Sequence, residues 1–220
     1  MILLVANSKG GVGKTSLATS ILAELAKTKA VIGVDLDSAN RTAADVWSSQ
    51  RTEEQGRFYF LSGDIKEEIL TAANDYDDVV IDAGGYDNAE LRAAMLVADV
   101  ILVPLRVGAN SNIDSFRKTV ELIEEVNKYR EKESVKVFGV VTATPQIGSN
   151  AEVERAIQEI IEDPLAQPLS VTIGDRSWYG RAFDAYLGLT EYESPNPRDK
   201  KYVEKAKTEF MAMMKEIFSE

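Results

Sequence analysis

Hydrophobic and polar positions along this chain follow two alternating rhythms. Short apolar runs, of the kind that form buried strands, are separated by longer stretches whose apolar residues return every three or four positions, as on one face of a helix. Met1–Asn7 predicts a strand, and Ser16–Thr28 a helix with Leu17, Ile21, Leu22 and Leu25 on one stripe. The alternation continues with a strand at Ala30–Asp35, a short helix at Thr42–Arg51, a short strand at Phe58–Leu61 and a helix near Ile65–Ala73. A strand at Asp78–Asp82, a helix at Ala89–Ala98 and a strand at Val100–Pro104 follow. Beyond them the pattern predicts a long helix over Ile113–Arg130, a strand over Val135–Thr142 and a helix over Ala151–Ile161. A last strand at Leu169–Ile173 and helices at Ser177–Leu187 and Lys200–Phe218 complete the chain. Strands that alternate with helices predict an α/β fold, a doubly wound and mainly parallel sheet with helices on both faces. With no repeat or linker in view, and Glu193–Asp199 read as a loop, residues 1–220 are expected to form a single domain.

The first strand runs into Ser8-Lys9-Gly10-Gly11-Val12-Gly13-Lys14-Thr15-Ser16, and the first helix follows at once. Strand, glycine loop and helix form the context in which backbone N–H groups and a helix N-terminus cradle phosphate. Gly10, Gly11 and Gly13 let the backbone close on an anion, Lys14 supplies charge to the β/γ-phosphates, and the Thr15 hydroxyl is placed to ligate Mg²⁺. Lys9, Gly10, Gly11, Val12, Gly13, Lys14, Thr15 and Ser16 are therefore the expected nucleotide-binding residues. The loop departs from G-x-x-x-x-G-K-[ST] at its first position, where Ser8 stands, and it carries an additional lysine, Lys9. Asp35 and Asp37 flank the end of the second strand with both carboxylates on one face, at the sheet edge where ligands bind. Asp82 ends the apolar run that follows Asp78, the profile of an acid that holds Mg²⁺ through water, and Gly84-Gly85 behind it leave a loop free to reposition.

Composition narrows the chemistry. The 220 residues include no cysteine, which excludes disulfides, thiolate metal sites and iron–sulfur clusters, and no histidine, which leaves proton handling to carboxylates, Lys or Tyr. A net charge of −11 makes the whole molecule a poor polyanion binder, so any contact with nucleic acid falls to a local basic patch. Arg198–Phe218 carries six basic against four acidic residues, a net of +2. Arg176, Arg181, Lys200, Lys201, Lys205 and Lys207 are the candidates for such a patch, although a solvated helix face would look the same. No run approaches the ~20 apolar residues of a membrane span, and the N-terminus reads as a core strand, so the expected location is cytoplasmic.

The K-G-G-V-G-K-T loop resembles the deviant Walker A motif of the ParA/MinD family of P-loop ATPases. That resemblance implies weak ATP hydrolysis, with ATP and Mg²⁺ as cofactors and Lys9, Lys14 and Asp37 as the catalytic residues. Lys9 would reach the nucleotide of a second subunit, Asp37 would orient the attacking water, and Thr15, Asp35 and Asp82 would hold the metal. Ser38-Ala39 stand where the family commonly has Pro-Gln. Trp47 and Arg51 resemble a W-x-x-x-R of small plasmid members, with a packed Trp and a surface Arg as the bland alternative. Val103-Pro104 with Asn110–Asp114 resembles a strand-loop-helix near the family's dimer face, and Thr142-Ala143-Thr144-Pro145 stands where the family borders the base. Arg176 to Ala182, Gly188 and Glu191 resemble the late R-x-x-Y…A…G…E pattern, so the likeness spans essentially the whole chain.

With a first strand at its start, the chain is expected to resemble the small plasmid-partition ParA proteins that lack an N-terminal DNA-reading domain. The implied partners are a second copy of the chain in an ATP-dependent homodimer, non-specific DNA, and a ParB-like centromere-binding protein. The implied location is the nucleoid when ATP is bound. A relative that positions a conjugation complex or a protein organelle would share every motif. A MinD-like membrane ATPase is the other alternative, but Glu alternates with Lys on the terminal helix, and no membrane partner is expected. A metabolic ligase of the dethiobiotin-synthetase type would have no need of Lys9.

Overall fold

In a computed structural model, which describes residues 1–37, 42–131, 135–145, 151–174 and 177–219, one parallel sheet organises the chain. Its first half comprises β1 (Ile2–Val5), α1 (Lys14–Leu25), β2 (Val31–Asp35), α2 (Thr42–Ser49), β3 (Phe58–Phe60), α3 (Lys66–Asp75), β4 (Asp78–Asp82) and α4 (Ala89–Val97). The second half comprises β5 (Val100–Arg106), α5 (Asn110–Asn127), β6 (Lys136–Thr144), α6 (Ala151–Glu162), β7 (Ala166–Pro168), β8 (Ile173–Gly174), α7 (Trp178–Asp184) and α8 (Lys200–Ile217). The strands lie in the order β3-β2-β4-β1-β5-β6-β7, with β8 also on β6, and every pairing is parallel. The path leaves β1 toward β2 on one side and crosses to β5 on the other, which opens a crevice at the carboxyl ends of the central strands.

Residue alternation along the strands sorts the core into two layers. Ile2 and Leu4 of β1 face a cluster with Ile69, Leu91, Met95 and Phe116, while Leu3 and Val5 face one with Leu17, Ile21, Trp47 and Phe210. The second layer absorbs the apolar stripe of α8, where Val203, Ala206, Phe210, Met213, Met214 and Ile217 are all buried. That stripe is spent on the core, and among the described residues no helix is long and apolar enough to cross a membrane.

Several boundaries move. Helix α1 begins at Lys14 rather than Ser16, because left-handed Gly13 stands at its N-cap. Strand β5 runs two residues past Pro104, and its register with β6 extends to Arg106 opposite Thr142. The strand expected at Leu169–Ile173 is a correction: β7 ends at Pro168 and β8 begins only at Ile173, so residues 169–172 lie between two short strands. Ser170 explains the break, since its N–H donates to Glu216 Oε2 on α8 at 2.9 Å and its hydroxyl also binds Glu216, in place of a sheet partner. Helix α7 stops at Asp184, short of Leu187, and Tyr186 follows in the left-handed region with φ 61°.

Candidate active site

Side chains of neighbouring elements pin the loop between β1 and α1. Buried Asn7 donates from Nδ2 to Pro104 O and accepts the Lys9 N–H on Oδ1, both at 2.9 Å. Ser8 N–H donates to Thr119 Oγ1 at 2.9 Å, and its hydroxyl to Ser115 O on α5 at 3.1 Å. A glycine there would lose the second bond, so the departure at position 8 ties the loop to α5. Thr142 at the end of β6 holds the far side by donating to Val12 O at 3.1 Å. Gly11 and Gly13 take φ 75° and 103°, where a side chain would be strained, and a Cβ on either would meet nothing within 4 Å. Helix α1 has no side-chain N-cap, so its first N–H groups and positive dipole end remain available to an anion.

Charge converges beneath this loop. Lys14, only 7% exposed, donates from Nζ to Lys9 O at 3.0 Å. Burial lowers its pKa, and the carboxylates of Asp82 and Asp37 oppose that shift. Asp35 and Asp82 sit side by side in the β2–β4 register, at 2% and 1% exposure. Burial above all pushes the Asp82 carboxyl up to about 7; the charges of Asp35 and Asp37 add to the rise, while a hydrogen bond from Thr15 and the charge of Lys14 oppose it. Asp37 donates its N–H to Asp35 Oδ1 at 2.9 Å. The glycines after β4 reach both parts of the site: a Cβ on Gly85 would lie 3.2 Å from Gly10 N, and one on Gly84 3.5 Å from Asp37 Cα.

Asp82 Oδ1 is buried with no hydrogen-bond partner among the described residues. An orphaned carboxylate oxygen beside a second buried carboxylate and the Thr15 hydroxyl is a donor set for a hard cation, and it fits Mg²⁺. Among the described residues no three acidic side chains form a metal cage. Mg²⁺ suits such a site because it keeps several waters and shares its ligands with phosphates. Thr15, Asp35 and Asp82 would hold it, and once bound it would neutralise phosphate charge.

A family model described as the CobQ/CobB/MinD/ParA nucleotide binding domain matches residues 3–180. The chain belongs to that family. Among its relatives is maintenance of carboxysome distribution protein A from Halothiobacillus neapolitanus, 30% identical over 183 residues, covering 82% of each chain. Protein ParA of Rhizobium radiobacter is 25% identical over 228 residues, covering 98% of this chain and 97% of its own. The fold is also that of a solved McdA–ATP complex from Cyanothece, with a TM-score of 0.65 at 15% identity over 97% of this chain and 96% of that one.

Relative to the MinD/ParA pattern, the remaining candidates fall into separate groups. The Lys9 ammonium donates to Ser111 Oγ and Asn112 Oδ1 of its own chain, both at 2.7 Å, at the start of α5. Trp47 and Arg51 form a buried brace away from the loop. The Arg51 guanidinium lies 4.2 Å from the Trp47 ring centroid, pairs with Glu191 at 2.8 Å, and donates to the carbonyls of Gln55, Gly56 and Tyr186. Trp47 Nε1 in turn donates to Leu187 O at 3.2 Å. Arg51 is 5% exposed rather than on the surface, and the late G…E pair closes the same brace, with Gly188 N–H on Glu191 Oε2 at 2.7 Å.

Of the basic candidates, Arg176 lies outside the described residues, as does Ser38-Ala39. Arg181 stacks on Trp178 and sits 3.8 Å from Asp199, and Lys207 is 3.6 Å from Glu204. Lys200, Lys201 and Lys205 are exposed and have no ion-pair partner among the described residues. Sequence reasoning did not single out Asn7 or Arg106, and it did not pair Ser111 and Asn112 with Lys9. Only the adjacency of Asn7 to the glycine loop was visible in the chain itself.

Proposed function

We propose that the protein is a Mg²⁺-dependent ATPase of the ParA type, whose ATP-loaded form is a homodimer on DNA that positions a cargo. The observation that carries the reading is the convergence of Lys9, Lys14, Asp35, Asp37 and Asp82 around one glycine loop. Lys14 and the loop N–H groups stabilise charge that develops on the transferred phosphoryl group, and Asp37 orients water. The loop after β4 touches both the phosphate loop and the Asp37 segment, so loss of the γ-phosphate is felt in both. Lys9 rests on two neutral oxygens of its own chain, and exchanging them for a triphosphate oxygen of a second copy strengthens its hydrogen bonds.

Lys200, Lys201 and Lys205 supply the non-specific DNA contacts, which place the loaded dimer on the nucleoid. A ParB-like centromere-binding protein would stimulate turnover if the cargo is a plasmid or chromosome. The relative that maintains carboxysome distribution supports a second cargo class, a protein organelle with its own adaptor. Light scattering on a sizing column, with ADP or a non-hydrolysable ATP analogue and with or without plain duplex DNA, tests the common part. The analogue with Mg²⁺ should double the mass and bring duplex DNA into the same peak. A monomer under every condition sinks the proposal.

A further inference from the structure

We propose that Arg106 is a nucleotide-contacting residue whose guanidinium plane covers the base of the bound nucleotide. The inference rests on the nucleotide-site reading above and deepens it. Beside the glycine loop lies a cleft of about 170 Å³, lined by Val12, Leu17, Ala143, Tyr179 and Arg106 among others. An apolar cavity of about 150 Å³ accepts one benzene ring, so this cleft has room for a planar ring system beside the phosphate loop.

Arg106 differs from the arginines that are committed to carboxylates. Arg51, Arg92 and Arg117 each meet a carboxylate, at Glu191, Asp87 and Glu159 respectively. The Arg106 guanidinium makes one long hydrogen bond, to Gly11 O at 3.4 Å, and has no ion-pair partner among the described residues. Its backbone is nevertheless fixed, in register opposite Thr142 and with its carbonyl accepting from Asn112 Nδ2 at 2.9 Å. A rigidly anchored, weakly committed planar cation lining an aromatic-sized cleft matches the face of a heteroaromatic base.

Another lining residue carries strain that points the same way. Ala143 has φ 57°, in the left-handed region, and the β6–β8 register shifts between Thr142 and Thr144. Strain and bulges of this kind persist beside ligand sites, where they re-aim the chain.

The test measures binding of Mg²⁺-ATP and of Mg²⁺-tripolyphosphate by calorimetry to the wild type, Arg106→Ala and Arg106→Lys. Quenching of 2-aminopurine riboside triphosphate reports on the base directly, and thermal melts check that the variants fold. Arg106→Ala should bind ATP roughly tenfold more weakly, leave tripolyphosphate affinity unchanged and lose the quenching. Arg106→Lys should recover little, because an ammonium has no plane to stack. Equal loss for both ligands, full rescue by lysine, or unchanged ATP affinity and quenching in Arg106→Ala would overturn the assignment. A wild type that binds no ATP removes the nucleotide site itself, an outcome distinct from a silent Arg106 variant.

Discussion

Asp82 makes the stability of the protein depend on pH in a direction opposite to that of an ordinary paired carboxylate. Its folded-state value of about 7 stands above the ordinary carboxyl value of 3.8, so between those limits the folded state holds a proton that the unfolded chain releases. The stabilisation is complete below the unfolded value and is lost as pH rises through about 7. At 1.36 kcal/mol per unit, linkage between about pH 5 and about pH 7.5 amounts to about 2.5 kcal/mol for this group alone. Urea unfolding of the wild type in EDTA without nucleotide should show that loss across the interval. Asp82→Asn, which keeps the shape and removes the titration, should have a profile flatter by about the same amount. Magnesium with nucleotide should raise wild-type stability most at the upper end, where the unpaired oxygen is charged. Parallel pH profiles for the two proteins would refute the buried Asp82 carboxylate as the cause.

The other predictions concern separate parts of the molecule. Asp37→Ala should retain the analogue-induced dimer on a sizing column while phosphate release falls by about two orders of magnitude or more; normal turnover would move the water-orienting role elsewhere. Arg51→Ala strands Glu191 and three backbone carbonyls, and should cost about 3 kcal/mol, a melting shift on the order of 10 °C, with ATP affinity intact at low temperature. A shift within a degree or two would mean that the brace contributes little. Lys200→Glu with Lys201→Glu should weaken binding to plain duplex DNA and flatten its salt dependence by about two phosphate contacts. Unchanged binding at low salt would clear α8 of that role.

What could be seen in the chain by itself was local. The glycine loop, Lys14, Thr15 and the acids closing two strands are contiguous with the elements that position them, so a period of two or of 3.6 locates them without a fold. The parallel α/β architecture followed from the same alternation. The interrupted strand at Leu169–Ile173 shows the limit, because the Ser170 N–H is taken by the Glu216 side chain, 46 residues away on α8. Trp47 and Arg51 could be read as a motif or as packing, and their contacts with residues 140 positions away decided for packing. Side-by-side placement of Asp35 and Asp82, the seat of Lys9 on α5 and the cleft that Arg106 lines likewise exist only once strands far apart in sequence become neighbours. Burial and mutual repulsion then set the charge state of Asp82, and those energies depend on which groups share a low-dielectric space, a property that no segment carries alone.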